Sequence, residues 1–136
     1  MSPSAAAKAH FVDLHPPEED FRASVIEGLG RSALSPKWFY DAKGSRLFDQ
    51  ICETPEYYVT RTELALLREV APRIGERIGP HSTVIEYGTG SAEKVRRLLD
   101  GLPEPFAYVA VDISGEHLRH AADALADGYP KVRIVA

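Results

Sequence analysis

Residues 82–112, STVIEYGTGSAEKVRRLLDGLPEPFAYVAVD, decide the architecture. A short β-branched run, STVIEY, ends at two glycines one residue apart, Gly88 and Gly90. The stretch SAEKVRRLLDGL then reads as a helix, and FAYVAVD as a second strand. Further on, SGEHLRHAADALADG reads as another helix and KVRIVA as a third strand. Strands that alternate with helices imply right-handed crossovers and a parallel sheet. The class expected is α/β, with an N-terminal helical and aromatic-loop region over residues 1–79 and the first three strands of a doubly wound sheet over 80–136.

In such sheets ligands bind beyond the carboxyl ends of the strands, at the first strand-to-helix turn. Gly88 and Gly90 leave that turn without side chains, so it can bend tightly and bring its backbone close to a ligand. Ser91 is placed to cap the helix, with Ala92, Glu93 and Lys94 in its first turn. Asp112 ends the second strand 24 positions after Gly88, where a carboxylate accepts hydrogen bonds from the vicinal hydroxyls of a ribose.

A dinucleotide fingerprint would have glycine where Glu93 stands, and a carboxylate beside a pyrophosphate is unfavourable. No G-x-x-x-x-G-K-[ST] run serves a nucleoside triphosphate either. The pattern hydrophobic-Glu-x-Gly-x-Gly with a second-strand Asp suits S-adenosylmethionine, which has no phosphates and carries an ammonium group that an acid such as Glu86 attracts. Blander readings stand beside these: Asp112 as a turn residue before a helix that Ser114 caps, and Lys94 as a solvated helix lysine.

Upstream, residues 1–15 lack periodicity and read as a loose or late-docking tail. Pro16 and Pro17, followed by Glu18, Glu19 and Asp20, suit a helix start. Phe21, Val25 and Leu29 share one face of that helix, and Gly28 or Gly30 closes it. LSPKWFYDAKGS, residues 34–45, reads as an ordered loop, after which Ser45 caps a short helix that buries Leu47, Phe48 and Ile51. Thr60 and Glu63 have the spacing of a capping box for the next helix, whose apolar face steps through Leu64, Leu67, Ala71, Ile74 and Ile78. Pro72 is expected to kink or divide it. Trp38, Phe39, Tyr40, Phe48, Tyr57 and Tyr58 lie within a short span, either as packing or as the wall of a pocket for a cation or a flat ring.

The chain has 136 residues, 44% of them hydrophobic and 26% charged, which suits one soluble domain of ordinary size. Its formal charge of -4 gives no long-range attraction to nucleic acid or anionic membranes. Lys37, Lys43 and Arg46, interleaved with aromatics, are cancelled by Asp41, Asp49, Glu53 and Glu56. The single cysteine, Cys52, makes no intramolecular disulfide, so a reducing, cytoplasmic setting is expected. No apolar run makes a signal segment or approaches the roughly 18 residues of a membrane span.

Three stretches, PKWFYDAKGSRLFDQICETPEYYVTRTE, VIEYGTGSAEK and VAVDIS, together resemble the N-terminal half of the histidine-specific S-adenosylmethionine-dependent methyltransferases, the L-histidine Nα-methyltransferases of ergothioneine biosynthesis. The resemblance runs over Leu34 to Ala136. It implies a Rossmann-like methyltransferase sheet, S-adenosyl-L-methionine as cofactor, and L-histidine as a small-molecule substrate that becomes trimethylhistidine. By it, Tyr40, Phe48 and Tyr57 meet the substrate, while Gly88, Lys94 and Asp112 match cofactor-loop and ribose positions. Val59 stands where the family usually has Pro, and Tyr87 where it usually has Leu.

The family's chain continues through more strands and a substrate-gripping domain. The expectation is therefore an N-terminal fragment, inactive alone or paired with the missing C-terminal half, in which STVIEY would be an unpaired edge. No catalytic residue is assigned. A sulfonium needs no acid to leave, and His117 and His120 are helix histidines, far more often surface or core residues than catalysts. A non-catalytic module that holds an adenosyl ligand is the competing class, with a dehydrogenase third. No metal, nucleic-acid or membrane partner is expected.

Overall fold

A computed structural model of the chain describes residues 8–14, 19–90 and 92–136. In chain order it forms α1 (Phe21–Gly30), a 3₁₀ turn (Pro36–Phe39), α2 (Ala42–Glu53), α3 (Val59–Ile78), β1 (Thr83–Tyr87), α4 (Glu93–Gly101), β2 (Ala107–Val111), α5 (Gly115–Gly128) and β3 (Arg133–Val135). The strands are parallel in the order β1-β2-β3, with Val84 opposite Tyr108 and Tyr108 opposite Ile134. Helices followed by an open parallel sheet are what the alternation in the sequence predicts. Among the described residues no helix is long and apolar enough to cross a membrane.

Side chains alternate across a strand, so Val84, Glu86, Tyr108, Ala110 and Ile134 share one face of the sheet. Onto that face α4 brings Val95 and Leu99, and α5 brings Leu118, Ala122 and Leu125. Tyr108, 1% exposed, sits at the middle of this core. The opposite face carries Ile85, 59% exposed, and Tyr87, 80% exposed. Among the described residues nothing pairs with the outer edge of β1.

The other edge is covered. Residues 8–14, read from sequence as part of a loose or late-docking tail, run along β3, with His10 N–H donating to the Ile134 carbonyl at 2.9 Å and Ala136 N–H to the His10 carbonyl at 2.8 Å. The Arg119 guanidinium lies over the Phe11 ring at 4.0 Å and fastens this segment to α5.

The N-terminal helices differ from expectation in several places. Pro16, Pro17 and Glu18 of the expected helix start lie outside the described residues. Asp20 caps α1, accepting from Ala23 N–H at 3.1 Å, yet that helix buries none of its residues. It is held instead by Phe21 edge-on to Trp38, centroids 5.0 Å apart, and by the Trp38 indole N–H on the Ser24 hydroxyl. The cap of α2 is Asp41, not Ser45: its carboxylate accepts from Gly44 N–H at 2.7 Å, one turn earlier than expected. Leu47, Phe48 and Ile51 of α2 are exposed rather than buried.

The capping box of Thr60 and Glu63 does not form, because α3 begins at Val59 and Thr60 is already inside it. The Thr60 hydroxyl turns to the Cys52 sulfur at 3.3 Å, and Glu63 pairs with Lys94 at 3.2 Å. Nor does Pro72 divide α3, which runs unbroken through it. This part of α3 packs against α4. Ala71, 1% exposed, and Gly75 flank Pro72 and both meet the end of α4. A Cβ built on Gly101 would stand 2.6 Å from Ala71 and 2.8 Å from the Pro72 nitrogen, so α4 comes closest at the small residue beside the proline.

This contact generates a prediction opposed to helix propensity. An alanine inside an exposed helix gains about 1 kcal/mol over glycine. At Gly75, however, the added Cβ would meet the Gly101 carbonyl oxygen at 2.2 Å, and backbone cannot swing aside. Gly75→Ala should therefore cost roughly 1–3 kcal/mol in urea unfolding. A neutral or stabilising result would show that α3 and α4 are not packed this closely.

Candidate functional site

The polypeptide leaves β1 through a bend at Gly88, Thr89 and Gly90. Both glycines have left-handed backbone, with φ of 74° and 50°. Side chains rarely adopt that conformation, which is why glycine stands at each. A Cβ on either would meet nothing within 4 Å, so the outer surface of the bend is open. Thr89 between them points inward and is 3% exposed. Its hydroxyl lies near that of Tyr108 without a well-formed hydrogen bond. Ser91, the expected cap of α4, lies outside the described residues.

The bend is fastened to the end of β2. Gly88 N–H donates to the Val111 carbonyl at 2.8 Å. One residue on, the Asp112 carboxylate accepts from Ser114 N–H at 2.8 Å, closing a turn into α5. Ser114 occupies the cap position of α5, but its hydroxyl does not cap; it donates to the Tyr40 carbonyl at 2.7 Å. The structure thus gathers Gly88, Gly90, Asp112 and the backbone of Tyr40 at the carboxyl ends of β1 and β2.

Glu86 and Lys94 sit just beneath. With Glu63, Leu67, Val84, Val95 and Leu98 they line a cavity of about 210 Å³ between α3, β1 and α4. Glu86 accepts the Tyr108 phenol at 2.5 Å, and Lys94 is committed to Glu63 across the helix contact. Burial first, and then the Glu86 carboxylate, hold the Tyr108 hydroxyl well above the usual tyrosine range; the charge of Asp112 adds to this.

Of the expected substrate residues, Phe48 and Tyr57 meet edge to face with centroids 5.8 Å apart. The segment leading to Tyr57 is pinned by Arg61, whose guanidinium donates to the carbonyls of Thr54 and Pro55 at 2.7 Å each. Tyr40 is half exposed and reaches the other residues through its backbone. Trp38 falls to the packing side of the two readings. Sequence reasoning missed Arg61, Tyr108 and the hydroxyl of Ser114, and it set His117 aside. The clue for Ser114 and His117 was their place just after Asp112, at the cap and in the first turn of the helix that follows β2.

Residues 21–136 match the family described as histidine-specific methyltransferase, SAM-dependent. The histidine N-alpha-methyltransferase of Mycolicibacterium smegmatis is 42% identical over 123 residues, which is 87% of this chain and 38% of that protein. The enzyme of the same name from Mycobacterium tuberculosis is 39% identical over 85% of this chain and 37% of its own length. Ergothioneine biosynthesis protein 1 of Schizosaccharomyces pombe is 32% identical over 75% of this chain and 14% of its own. The chain spans less than two fifths of the length of each.

Burial of the Tyr108 phenol, and then its bond to Glu86, make stability depend on alkaline pH. A phenol whose folded pKa lies above its unfolded value near 10 contributes stability that is whole below about pH 10 and is lost as pH rises past it. Tyr129, pushed up to about 12 by burial and Asp100, shares that behaviour. Tyr108→Phe should cost about 1 kcal/mol at neutral pH, and its stability should fall less steeply than wild type above about pH 10. Identical alkaline profiles in denaturant titrations would contradict a buried phenol held by Glu86.

Proposed function

Because the chain belongs to the histidine-specific, S-adenosylmethionine-dependent methyltransferases, we propose that it forms the cofactor cradle and part of the substrate wall of an enzyme methylating the α-amino nitrogen of L-histidine. The observation that carries this reading is the convergence of an open glycine bend, the Asp112 carboxylate and the Tyr40 segment on one turn after β2.

The residues present fit the cofactor. The outer surface of the bend is free of side chains at Gly88 and Gly90. Asp112 spends Oδ1 on Ser114 N–H and keeps Oδ2 for a ribose hydroxyl, so its grip is narrower than that of a fully uncommitted carboxylate. Glu86, placed from sequence beside the cofactor ammonium, has one oxygen occupied by Tyr108 and acts from beneath the bend. Lys94, neutralised by Glu63, braces α4 against α3 and supports the cradle from behind.

When bound, S-adenosylmethionine supplies a sulfonium-borne methyl group that a neutral amine displaces in line, the sulfur departing as a neutral thioether without acid. The chain's own part is to position and to dry the reacting groups. Asp112 and the bend fix the sugar end of the cofactor. Tyr40 and the Phe48–Tyr57 pair offer flat faces for an imidazole. Three transfers to one nitrogen would give trimethylhistidine, in keeping with the ergothioneine proteins among the relatives. The exposed Ile85 and Tyr87 and the edge of β1, unpaired among the described residues, support a further length of sheet there, as the greater length of the relatives also does. The reading includes a cytoplasmic setting, where Cys52 stays reduced.

Calorimetric titration with S-adenosylmethionine tests the cradle. Asp112→Ala should weaken binding by about tenfold, since a hydrogen bond to a charged group is lost. Mass spectrometry of histidine incubated with the cofactor and the chain, co-expressed with the C-terminal remainder of the mycobacterial relative, should show added methyl groups. Absence of cofactor binding, with or without that remainder, would refute the proposal.

A further inference from the structure

The two ends of the glycine bend are held differently. At the near end, Gly88 N–H is bonded to the backbone of β2. At the far end, the Gly90 carbonyl lies 3.1 Å from Nε2 of His117, in the first turn of α5. A carbonyl oxygen only accepts, so the imidazole must present N–H at Nε2, as the neutral ring in that tautomer or the imidazolium does. The contact joins residues 27 apart in sequence, and it reaches the second glycine of the bend. Glycine loses more backbone freedom on ordering than any other residue, and the Cβ positions of Gly88 and Gly90 touch nothing that would limit them.

We propose that His117 is a positioning residue for the cofactor: its Nε2–H latches the Gly90 carbonyl and holds the bend in its open, ligand-ready shape before the cofactor arrives. The consequence for binding rests on the function proposed above; the latch itself does not. A bend ordered in advance spares the cofactor part of the entropy cost of fixing it. This gives the helix histidine a role the sequence did not suggest, since its surface position is what brings it over the loop.

The test compares wild type with His117→Ala and His117→Gln in the full chain. The glutamine amide can place an N–H near the position of Nε2, whereas alanine places none. Without ligand, amide hydrogen exchange at Gly90 and Ala92 should quicken several-fold in His117→Ala, remain close to wild type in His117→Gln, and be unchanged at Val109 and Leu125 in both. S-adenosylmethionine should bind about three- to tenfold more weakly to the alanine variant and near normally to the glutamine variant, as expected for one hydrogen bond. Unchanged exchange in His117→Ala, or equal loosening in both variants, would overturn the latch. If no protein binds the cofactor, wild type included, the functional proposal fails while the exchange comparison still decides the latch.

Discussion

The turn from Val111 to Ser114 is the fixed point of this molecule. Within four residues it offers a carbonyl to the glycine bend, a carboxylate to its own backbone and a hydroxyl to the aromatic segment at Tyr40. The first is the last rung of the β1–β2 ladder, where Tyr87 pairs with Val111; the other two belong neither to the sheet nor to a helix interior. They exist because β2 is the central strand and ends where three parts of the chain converge. Backbone polar groups at such a place must find partners, and here the partners are the glycine bend and the segment at Tyr40.

The scaffold behind that turn is made by close backbone approach more than by large side chains. Small residues at Ala71, Gly75 and Gly101 let α3 and α4 touch, and the Glu63–Lys94 pair crosses the same junction. That ion pair is partly exposed and contributes little by itself; its value is in orientation. Through α3 the aromatic segments are tied to the sheet: Arg61 at its start holds the carbonyls before Tyr57, and its later turns hold α4. A change in the α3–α4 contact would therefore be felt both at the bend and at the Phe48–Tyr57 pair.

Much of this was legible in the sequence where the signal was local. The change from helical to alternating grammar after Gly79 and Pro80 marks the sheet, and the two glycines mark the bend, whose backbone does require them. Asp112 stands beside that bend, as its position at the end of a strand implies. What failed were choices among competing local bonds. Asp41 and Ser45 can each cap α2, and the earlier one wins although Gly44 follows it. Thr60 and Glu63 have capping spacing, but α3 starts too early for them, and both find partners on other elements. Bonds such as Ser114 to Tyr40, 74 residues apart, leave no periodic trace. The exposed apolar face of α2, at Leu47, Phe48 and Ile51, likewise reads as buried from pattern alone.

Backbone resonances of the isotopically labelled chain, followed while S-adenosylhomocysteine is added, test most directly whether the bend and the turn after β2 form one ligand site. Shifts that saturate together at Gly88, Gly90, Asp112 and Ser114, with β3 undisturbed, are the expected result. Saturable shifts confined to a different surface, with these four residues silent, would contradict it.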